Sequence, residues 1–308
     1  MNKKKRHHYI PRFYLRGFVD PHNKPYVWVY EKGNPNITKA TVENIAVQKH
    51  YYSFIRPSGD IDSETFENAL AKIEGKVAPA FEKIIHHEDL NNQEKGAFAV
   101  FLAFTVTRVP NYRKNVERSF GEIIKKILVV LASSPVAIKS MIEGVERDTG
   151  KKMAIPVEEW QKILLDGQYN IEVKPQFSLE TITIAKELVP IFYGMSWAFL
   201  EATEDYKFVT SDNPLFYFHP THHPKSFYGG GLANKNIEVT FPISRDLMFH
   251  GTWGKFEGYE KLTNEGVKEM NRRTVISALR FVFASEYSHN LNGLVQEYKH
   301  ISPKIKVS

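Results

Sequence analysis

Three short stretches of the sequence gather polar side chains whose types and spacing could do chemistry. The first, HHYIPRFYLRGF near the N-terminus, holds His8, Arg12 and Tyr14. A neutral imidazole, with its pKa of about 6.5, suits general-base catalysis or metal ligation. The alternative is structural: the aromatic residues of the stretch anchor a first strand or helix, and the histidines bond to backbone carbonyls. The sequence leaves both interpretations open.

The second stretch is KFVTSDNPLFYF, which contains Asp212 and Asn213. Ser-Asp-Asn-Pro is ordinary turn chemistry, because Asp and Asn side chains bond to nearby amides and Pro214 keeps Asn213 extended. Asp212 also follows directly on a predicted strand, where a carboxylate can be held rigidly in a cleft. It could then bind a divalent cation such as Mg²⁺ or Mn²⁺, or orient a water molecule.

The third stretch is RVPNYRK, with Arg108 and Arg113 on either side of Pro110. Held at a helix junction, these arginines could clamp a phosphate through paired hydrogen bonds. They could equally pair with Glu67 or Glu74 on the preceding helix. Glu74 lies beside the apolar stripe of that helix, so we expect it to be partly buried with an arginine partner. Glu74 is also a candidate metal ligand, in addition to Asp212.

The first stretch resembles the opening His-His-Ile-Ile-Pro of His-Asn-His nucleases, in which the second histidine is the general base. On that resemblance Asn44 and His50 would hold the metal. Their spacing departs from that of the family, and no strand is predicted ahead of His8 to begin a short ββα unit. A structural role for the histidines therefore stays the alternative.

Composition predicts a globular protein with a large core. Of the 308 residues, 42% are apolar and 13% aromatic, which excludes disorder for most of the chain. The absence of cysteine excludes disulfides, thiolate zinc sites, iron–sulfur clusters and cysteine nucleophiles. The sequence has no secretory signal and no apolar run of membrane-spanning length, so we expect a cytoplasmic protein with no membrane partner.

The net charge of +6 belongs to the two ends of the chain. Residues 3–6 are consecutive cations, the tail from Val295 carries an excess of positive charge, and the chain between them is neutral. Charged ends are typical of solubilising tails, and contact with nucleic acid is the alternative. We expect residues 3–6 to be mobile and residues 7–18, with their aromatic side chains, to be ordered.

Hydrophobic patterns predict one α+β domain over residues 1–308, a helical bundle packed with an antiparallel sheet. A β-rich entry covers 9–60, where aromatic and β-branched residues are dense. A helical lobe covers 62–193 because apolar residues recur there at steps of three and four. Short β-like runs separated by turn residues, followed by a late helix, predict a β-rich lobe over 196–285.

The helical lobe begins with a stripe of apolar residues on one helix face, capped by Asp62 and Ser63. The stripe consists of Phe66, Leu70, Ile73, Val77, Phe81 and Ile84. The segment GAFAVFLAFTVTR is apolar nearly all round, which predicts a buried central helix. The further predicted helices are 112–132 with a basic face, 135–150, 156–167, one from Ser178, and the late helix 264–279.

Together these stretches resemble the bacterial domain-of-unknown-function family numbered 4238, in order and over nearly the whole chain. The motifs of that family have the form His-Tyr-Val/Ile-Pro-x-x-Tyr-Leu-x-x-Phe, Arg-x-Pro and Thr-Ser-Asp-Asn-Pro. They stand here at residues 8–18, 108–110 and 210–214. The resemblance implies that one domain brings them together, joined by Asn271 and Arg272 of the late helix. It supplies no reaction.

The combined set suits phosphodiester chemistry, with His8 as base, Asp212 as metal ligand or water orienter and Arg108 as anion clamp. The leading hypothesis is a metal-assisted phosphodiester hydrolase acting on nucleic acid, for example a toxin or defence effector. A two-metal nuclease needs several converging carboxylates, and only Asp212 and Glu74 present themselves.

The alternative function is a non-catalytic module that binds nucleic acid or another anionic ligand, and a purely structural protein is the third possibility. The sequence does not predict the oligomeric state. The candidate binding residues are Arg12, Tyr14, Arg113, Asn213, Asn271 and Arg272.

Overall fold

The computed structural model describes residues 6–56, 58–173, 181–219, 231–301 and 303. The expectations for residues 3–5 and for Ser178 as a helix cap lie outside the described residues. The chain divides into two compact units, residues 1–113 with 179–303 and residues 114–178 with 304–308. Helices and mainly antiparallel sheets confirm the predicted α+β class.

The element bounds are as follows. The strands are β1 Arg6–His8, β2 Tyr26–Glu31, β3 Asn34–Thr41, β4 Val47–Lys49, β5 Phe54–Ile55, β6 Ile61–Asp62, β7 Ser196–Glu201, β8 Thr210–Ser211, β9 Phe216–Phe218, β10 Glu238–Pro242, β11 Leu247–Thr252, β12 Gly258–Lys261 and β13 Phe281–Ala284. The helices are α1 Arg12–Leu15, α2 Thr65–Ile85, α3 Asn92–Arg108, α4 Pro110–Ala132, α5 Pro135–Thr149, α6 Val157–Asp166, α7 Ala185–Gly194, α8 Asn264–Ser277 and α9 His289–Glu297.

Two larger sheets lie in the first unit. One has the strand order β12-β7-β11-β10-β9, in which only the β12 and β7 pair is parallel. The other has the order β3-β2-β13-β8 and is antiparallel throughout. In the second sheet Phe281 faces Glu31 and Val282 faces Ser211, so strand β13 joins the N-terminal hairpin to the short strand that precedes Asp212.

The long helices of the first unit follow their sequence patterns. Helix α3 buries Phe98, Phe101 and Leu102 almost completely, as its all-round apolar character predicts. Helix α2 is capped by Asp62, whose Oδ1 accepts the backbone N–H groups of Glu64 and Thr65, each at 2.9 Å. The predicted cap at Ser63 was wrong, because its hydroxyl bonds to Ser53 instead.

Residues 7–18 pack in the first unit, as predicted. Arg6, which was predicted to be mobile, instead lies in β1 and donates to Asn44. Strand β1 pairs antiparallel with β4, which places His8 opposite Val47. Tyr14 is buried, its ring stacks on Phe241 at 5.0 Å, and its hydroxyl lies 2.6 Å from that of Thr210. This segment therefore belongs to the core rather than to a flexible tail.

The second unit contains most of α4 together with α5 and α6. Its small core includes Ala132, Ile138 and Leu164. Gly150 and Gly167 end α5 and α6 in the left-handed conformation, with φ of 68° and 69°, as glycine C-caps do. None of the helices in the described parts of the chain combines the length and apolar character needed to span a bilayer.

Candidate functional site

A cavity of about 330 Å³ lies in the first unit, beside the N-terminal segment. Its walls come from the end of β1, from α1 and the turn after it, and from the first half of α2. Six of its lining residues carry polar groups: His8, Arg12, Arg16, Tyr52, Glu67 and Glu74. This is the place in the described structure where the predicted histidine meets arginines and carboxylates.

Backbone geometry brings these side chains to one cavity. Pro11 ends the extended segment after β1, and α1 begins at Arg12. Residues four apart lie on the same side of a helical turn, which places Arg16 beside Arg12. On α2, Glu67 and Glu74 are two turns apart and therefore also share a face.

His8 is the candidate base of this cavity. Its Nε2 is buried and has no hydrogen-bond partner among the residues that the structure describes. Burial lowers the pKa of His8, the nearby Arg12 guanidinium lowers it further, and hydrogen bonding to the backbone of Val42 and Glu43 only partly offsets this. The ring is therefore neutral at pH 7, and it is available to accept a proton or to bond a ligand.

Arg12 and Arg16 are the free cations of the cavity. Both side chains are exposed, and neither forms a hydrogen bond or ion pair anywhere in the described structure. Of the two carboxylates in the cavity, Glu74 is neutralised by Arg108, whose Nη2 lies 3.0 Å from Oε1 of Glu74. Among the residues that line the cavity, Arg12 and Arg16 thus stand against the carboxylate of Glu67. Outside the lining, the pKa of Glu43 is lowered chiefly by hydrogen bonding to its own backbone, and both arginines lower it further.

His7 and Tyr52 support the site from inside the protein. The His7 side chain is fully buried, and its Nδ1 accepts the backbone N–H of Tyr52 at 2.9 Å. In the neutral ring the proton therefore lies on Nε2, which is 3.7 Å from Oε2 of Glu67. The His7 and Tyr52 rings stack with their centroids 5.6 Å apart. The first histidine of the pair is structural, and only His8 lines the cavity.

Arg108 is an internal anchor rather than the predicted anion clamp. Its side chain is 2% exposed, and its Nε donates to the carbonyl of Tyr9 at 2.8 Å. Because the same guanidinium also binds Glu74, the predicted alternative of a glutamate partner is confirmed. Arg113 is likewise engaged, since it lies over the Tyr51 ring at 4.2 Å and donates to the Tyr51 carbonyl at 2.9 Å.

Asp212 does not line the His8 cavity. It is buried, and its Oδ1 accepts the N–H of Leu279 at 2.8 Å. Its Oδ2 accepts the N–H groups of Arg280 and Phe281 at 2.9 and 3.0 Å. Burial raises the pKa of Asp212 to about 6, and the three backbone hydrogen bonds and Lys32 limit that rise. The carboxylate thus stabilises the turn between α8 and β13 through hydrogen bonds to its backbone.

Three further predicted residues have partners within the protein. Asn213 donates to the carbonyl and the hydroxyl of Ser277 at 2.8 and 3.0 Å. Asn271 accepts the N–H of Val209 at 3.0 Å and donates to the carbonyl of Lys207 at 2.9 Å. The third is Tyr14, which packs in the core. These side chains fix the loop before β8 and the start of β9, away from His8.

Arg272 binds Glu269 through two hydrogen bonds of 2.7 and 2.8 Å. It lines a second, larger cavity of the first unit and not the cavity of His8. The structure therefore brings Arg12 and Glu74 to His8, whereas it places Asp212 and Arg272 elsewhere.

The predicted metal ligands do not fit a divalent metal site. The Asp212 carboxylate already accepts hydrogen bonds from three backbone N–H groups, and the Glu74 carboxylate is paired with Arg108. Across the residues that the structure describes, no three His, Asp or Glu side chains are grouped to hold a metal ion. Asn44 accepts from Arg6 and His50 contacts Ser53, so neither joins His8 as the His-Asn-His resemblance would require.

Sequence reasoning missed Arg16 as a site residue. The signal was the four-residue spacing from Arg12 directly after a proline, which gives two arginines on one side if a helix begins there. The sequence predicted Glu67 only as a partner for Arg108 or Arg113. The seven-residue spacing of Glu67 and Glu74 indicated a shared helix face, although it did not indicate which segment would cover that face.

Comparison with known proteins gives a family but no activity. The model of the family described as "Protein of unknown function (DUF4238)" matches residues 6–288. The match includes all the residues that line the His8 cavity and confirms the resemblance predicted from the motifs. No curated protein matches the chain, and no solved structure does.

Proposed function

We propose that this chain, which belongs to the DUF4238 family, binds a phosphate ester in the His8 cavity, with single-stranded nucleic acid as the source of that ester. One observation carries the proposal. Within the described residues the guanidinium groups of Arg12 and Arg16 form no hydrogen bond or ion pair, and they line a cavity together with His8, whose buried Nε2 has no hydrogen-bond partner there. Guanidinium groups bind phosphate oxygens through paired hydrogen bonds.

The charge balance of the lining supports an anionic ligand. Arg108 neutralises Glu74 from inside the protein, which leaves Glu67 as the other carboxylate of the lining. Outside the lining, Glu43 lies near enough to Arg12 and Arg16 for both arginines to lower its pKa further, beyond the effect of hydrogen bonding to its own backbone. Two cations therefore face two carboxylates, one of which is outside the cavity. A cavity of about 330 Å³ is suited to one phosphate with its sugar rather than to a duplex groove. We therefore expect the protein to contact one phosphate of the nucleic-acid backbone and not to select a base sequence.

Salt-dependent binding tests this proposal. The probe is a short fluorescein-labelled oligothymidylate, and the readout is fluorescence anisotropy over a range of salt concentrations. Replacing Arg12 and Arg16 together with Gln should weaken binding and lower the log–log salt slope by about 1.4, since each phosphate contact on a single strand contributes about 0.7. Lys186→Gln, an exposed cation of the same unit outside the cavity, is the matched control and should change the slope less.

Competition separates nucleic acid from a free phosphate ester. If an oligonucleotide is the ligand, inorganic phosphate should displace the labelled probe only at much higher concentration than unlabelled oligothymidylate does. Equal displacement on a molar basis would point to a small phosphorylated molecule in the same cavity. A slope that is unchanged in the double variant would contradict the phosphate contacts altogether.

Hydrolysis of the bound phosphodiester is a second candidate, favoured by the state of His8. With its pKa lowered by burial, the ring is unprotonated at neutral pH, and its free Nε2 can take a proton from a water molecule. The water oxygen then bonds to phosphorus, the bond to the leaving oxygen breaks, and the proton returns from His8 to that oxygen. Arg12 and Arg16 would stabilise the added negative charge.

The His8→Ala variant tests hydrolysis separately from binding. If His8 is the base, oligonucleotide cleavage should be lost while anisotropy still reports binding through the arginines. In the wild type the cleavage rate should rise with pH as His8, the proposed base, loses its proton. Because the pKa of His8 is lowered from 6.5, this rise should occur below pH 6.5 and the rate should be level at pH 7. Equal cleavage by the wild type and His8→Ala would exclude this role.

A further inference from the structure

A second cavity of about 800 Å³ lies in the first unit, and it shares no lining residue with the His8 cavity. Its walls come from the loop at residues 205–209, from one face of α8, from the last residue of β13 with the segment 285–288 that follows it, and from α9. Its volume lies within the range typical of sites for small organic molecules. The family match ends at residue 288, so the wall formed by α9 lies beyond it.

The inner wall of this cavity is apolar. Phe208, Val209, Ala284 and Leu291 line it and are buried. Such a surface favours ligands that bring apolar groups out of water. Two buried residues of the lining are polar. Asn271 is bonded to Val209 and Lys207, whereas Ser285 is 1% exposed and its hydroxyl has no hydrogen-bond partner among the described residues. A buried hydroxyl without a partner is costly, and a ligand with a donor or acceptor would remove that cost.

The cations around this cavity already have partners. Arg272 binds Glu269 with two hydrogen bonds, and the Lys207 ammonium lies 2.9 Å from Asp246. The Lys268 ammonium lies over the Tyr206 ring at 4.5 Å. The carboxylates Glu286 and Glu265 are paired as well, with Arg245 and Lys268 respectively. Asp205 also lines the cavity and accepts a hydrogen bond from Asn264 at 3.4 Å. Because every cation of the lining is engaged, the cavity gives little attraction to an anionic ligand.

We infer that this cavity binds an uncharged, mainly apolar ring compound with one hydrogen-bonding group, which bonds to the hydroxyl of Ser285. The side chains of Tyr206 and Tyr287 line the cavity and give aromatic surface for a ring. This site is separate from the His8 cavity and does not rest on the function proposed for that cavity.

A matched series of naphthalenes tests the inference. The probes are naphthalene, 2-naphthol and 2-naphthoate, which share one ring system and differ in hydrogen bonding and charge. Binding to the full chain is measured by saturation-transfer NMR and by the fluorescence of the probes. We expect saturable binding of 2-naphthol, about tenfold tighter than that of naphthalene because of one added hydrogen bond, and weaker binding of 2-naphthoate.

Two variants assign the binding to this cavity. Ser285→Ala should bring 2-naphthol to the affinity of naphthalene and leave naphthalene unchanged, without lowering thermal stability, because it removes an unpaired buried hydroxyl. Leu294→Glu places a carboxylate on the partly exposed wall and should abolish binding of both uncharged probes. Ser58→Ala, an exposed serine elsewhere in the same unit, should bind all three probes as the wild type does.

Three results would overturn the inference. The first is an absence of saturable binding of any probe to the folded wild type. The second is tighter binding of 2-naphthoate than of 2-naphthol. The third is 2-naphthol binding that is unaffected by either variant in the cavity, which would place the probe elsewhere on the chain.

Discussion

Replacing Asp212 with Ala should destabilise the first unit strongly. The substitution removes the acceptor of three backbone N–H groups, those of Leu279, Arg280 and Phe281, and leaves them in a partly buried turn. A buried donor left unsatisfied costs about 1 to 3 kcal/mol, and water entering the vacated space would recover part of this. We therefore expect the free energy of unfolding to fall by roughly 3 to 5 kcal/mol.

The loss should also depend on pH. Because burial raises the pKa of Asp212 to about 6, the folded state binds more protons at this residue than the unfolded state between pH 4 and 6. Its contribution to stability is then fully present below about pH 4 and falls as the pH rises through 6. The difference between the wild type and Asp212→Ala should therefore be larger at pH 5 than at pH 7.

Urea denaturation followed by circular dichroism at both pH values measures these differences. Asp60→Ala is the matched control. Asp60 is exposed, and within the described part of the chain its side chain accepts only from Ser58, so its effect should stay within about 0.5 kcal/mol. A similarly small effect of Asp212→Ala would refute the structural role. A difference that shrinks at pH 5 would refute the raised pKa.

Two smaller perturbations test the segments that support the site. Tyr14→Phe removes a buried hydrogen bond of 2.6 Å to Thr210, and the midpoint of urea unfolding should report a loss of about 1 to 2 kcal/mol. Asp62→Ala removes the cap of α2 and should cost about 1 kcal/mol at pH 7. Since bonding to Thr65 holds the pKa of Asp62 below its usual range, this contribution is lost as the pH falls below about 4, which a pH series of the same assay measures.

Local patterns predicted the helices well because the information lies within each segment. The all-round apolar run of α3, the stripe of α2 and the glycine caps at Gly150 and Gly167 depend only on residues close in sequence. The packing of the aromatic N-terminal segment could be predicted in the same way, because these side chains would expose a large apolar area to water if the segment were not packed.

Long-range partners could not be predicted in that way. Nothing local shows that Asp212 faces amides more than sixty residues later, so turn chemistry and a catalytic carboxylate look identical in the sequence. Arg108 and Arg12 both lie within two residues of a proline, yet Arg108 is buried against Glu74, whereas Arg12 is exposed and forms no hydrogen bond or ion pair in the described residues. The pairing of β13 with β2 and β8 decides which segments meet, and it joins residues at opposite ends of the chain.

The most direct test of phosphate binding observes His8 itself. The ring signals of His8, assigned with His8→Gln, are followed by NMR while a dithymidine monophosphate, with a single phosphodiester, is added. Binding beside Nε2 should move the His8 signals saturably, and the negative charge should raise the pKa of His8 from its lowered value. The signals of His22, outside the cavity, should stay in place. Unmoved His8 signals under conditions where an oligonucleotide binds would show that the phosphate contacts lie elsewhere.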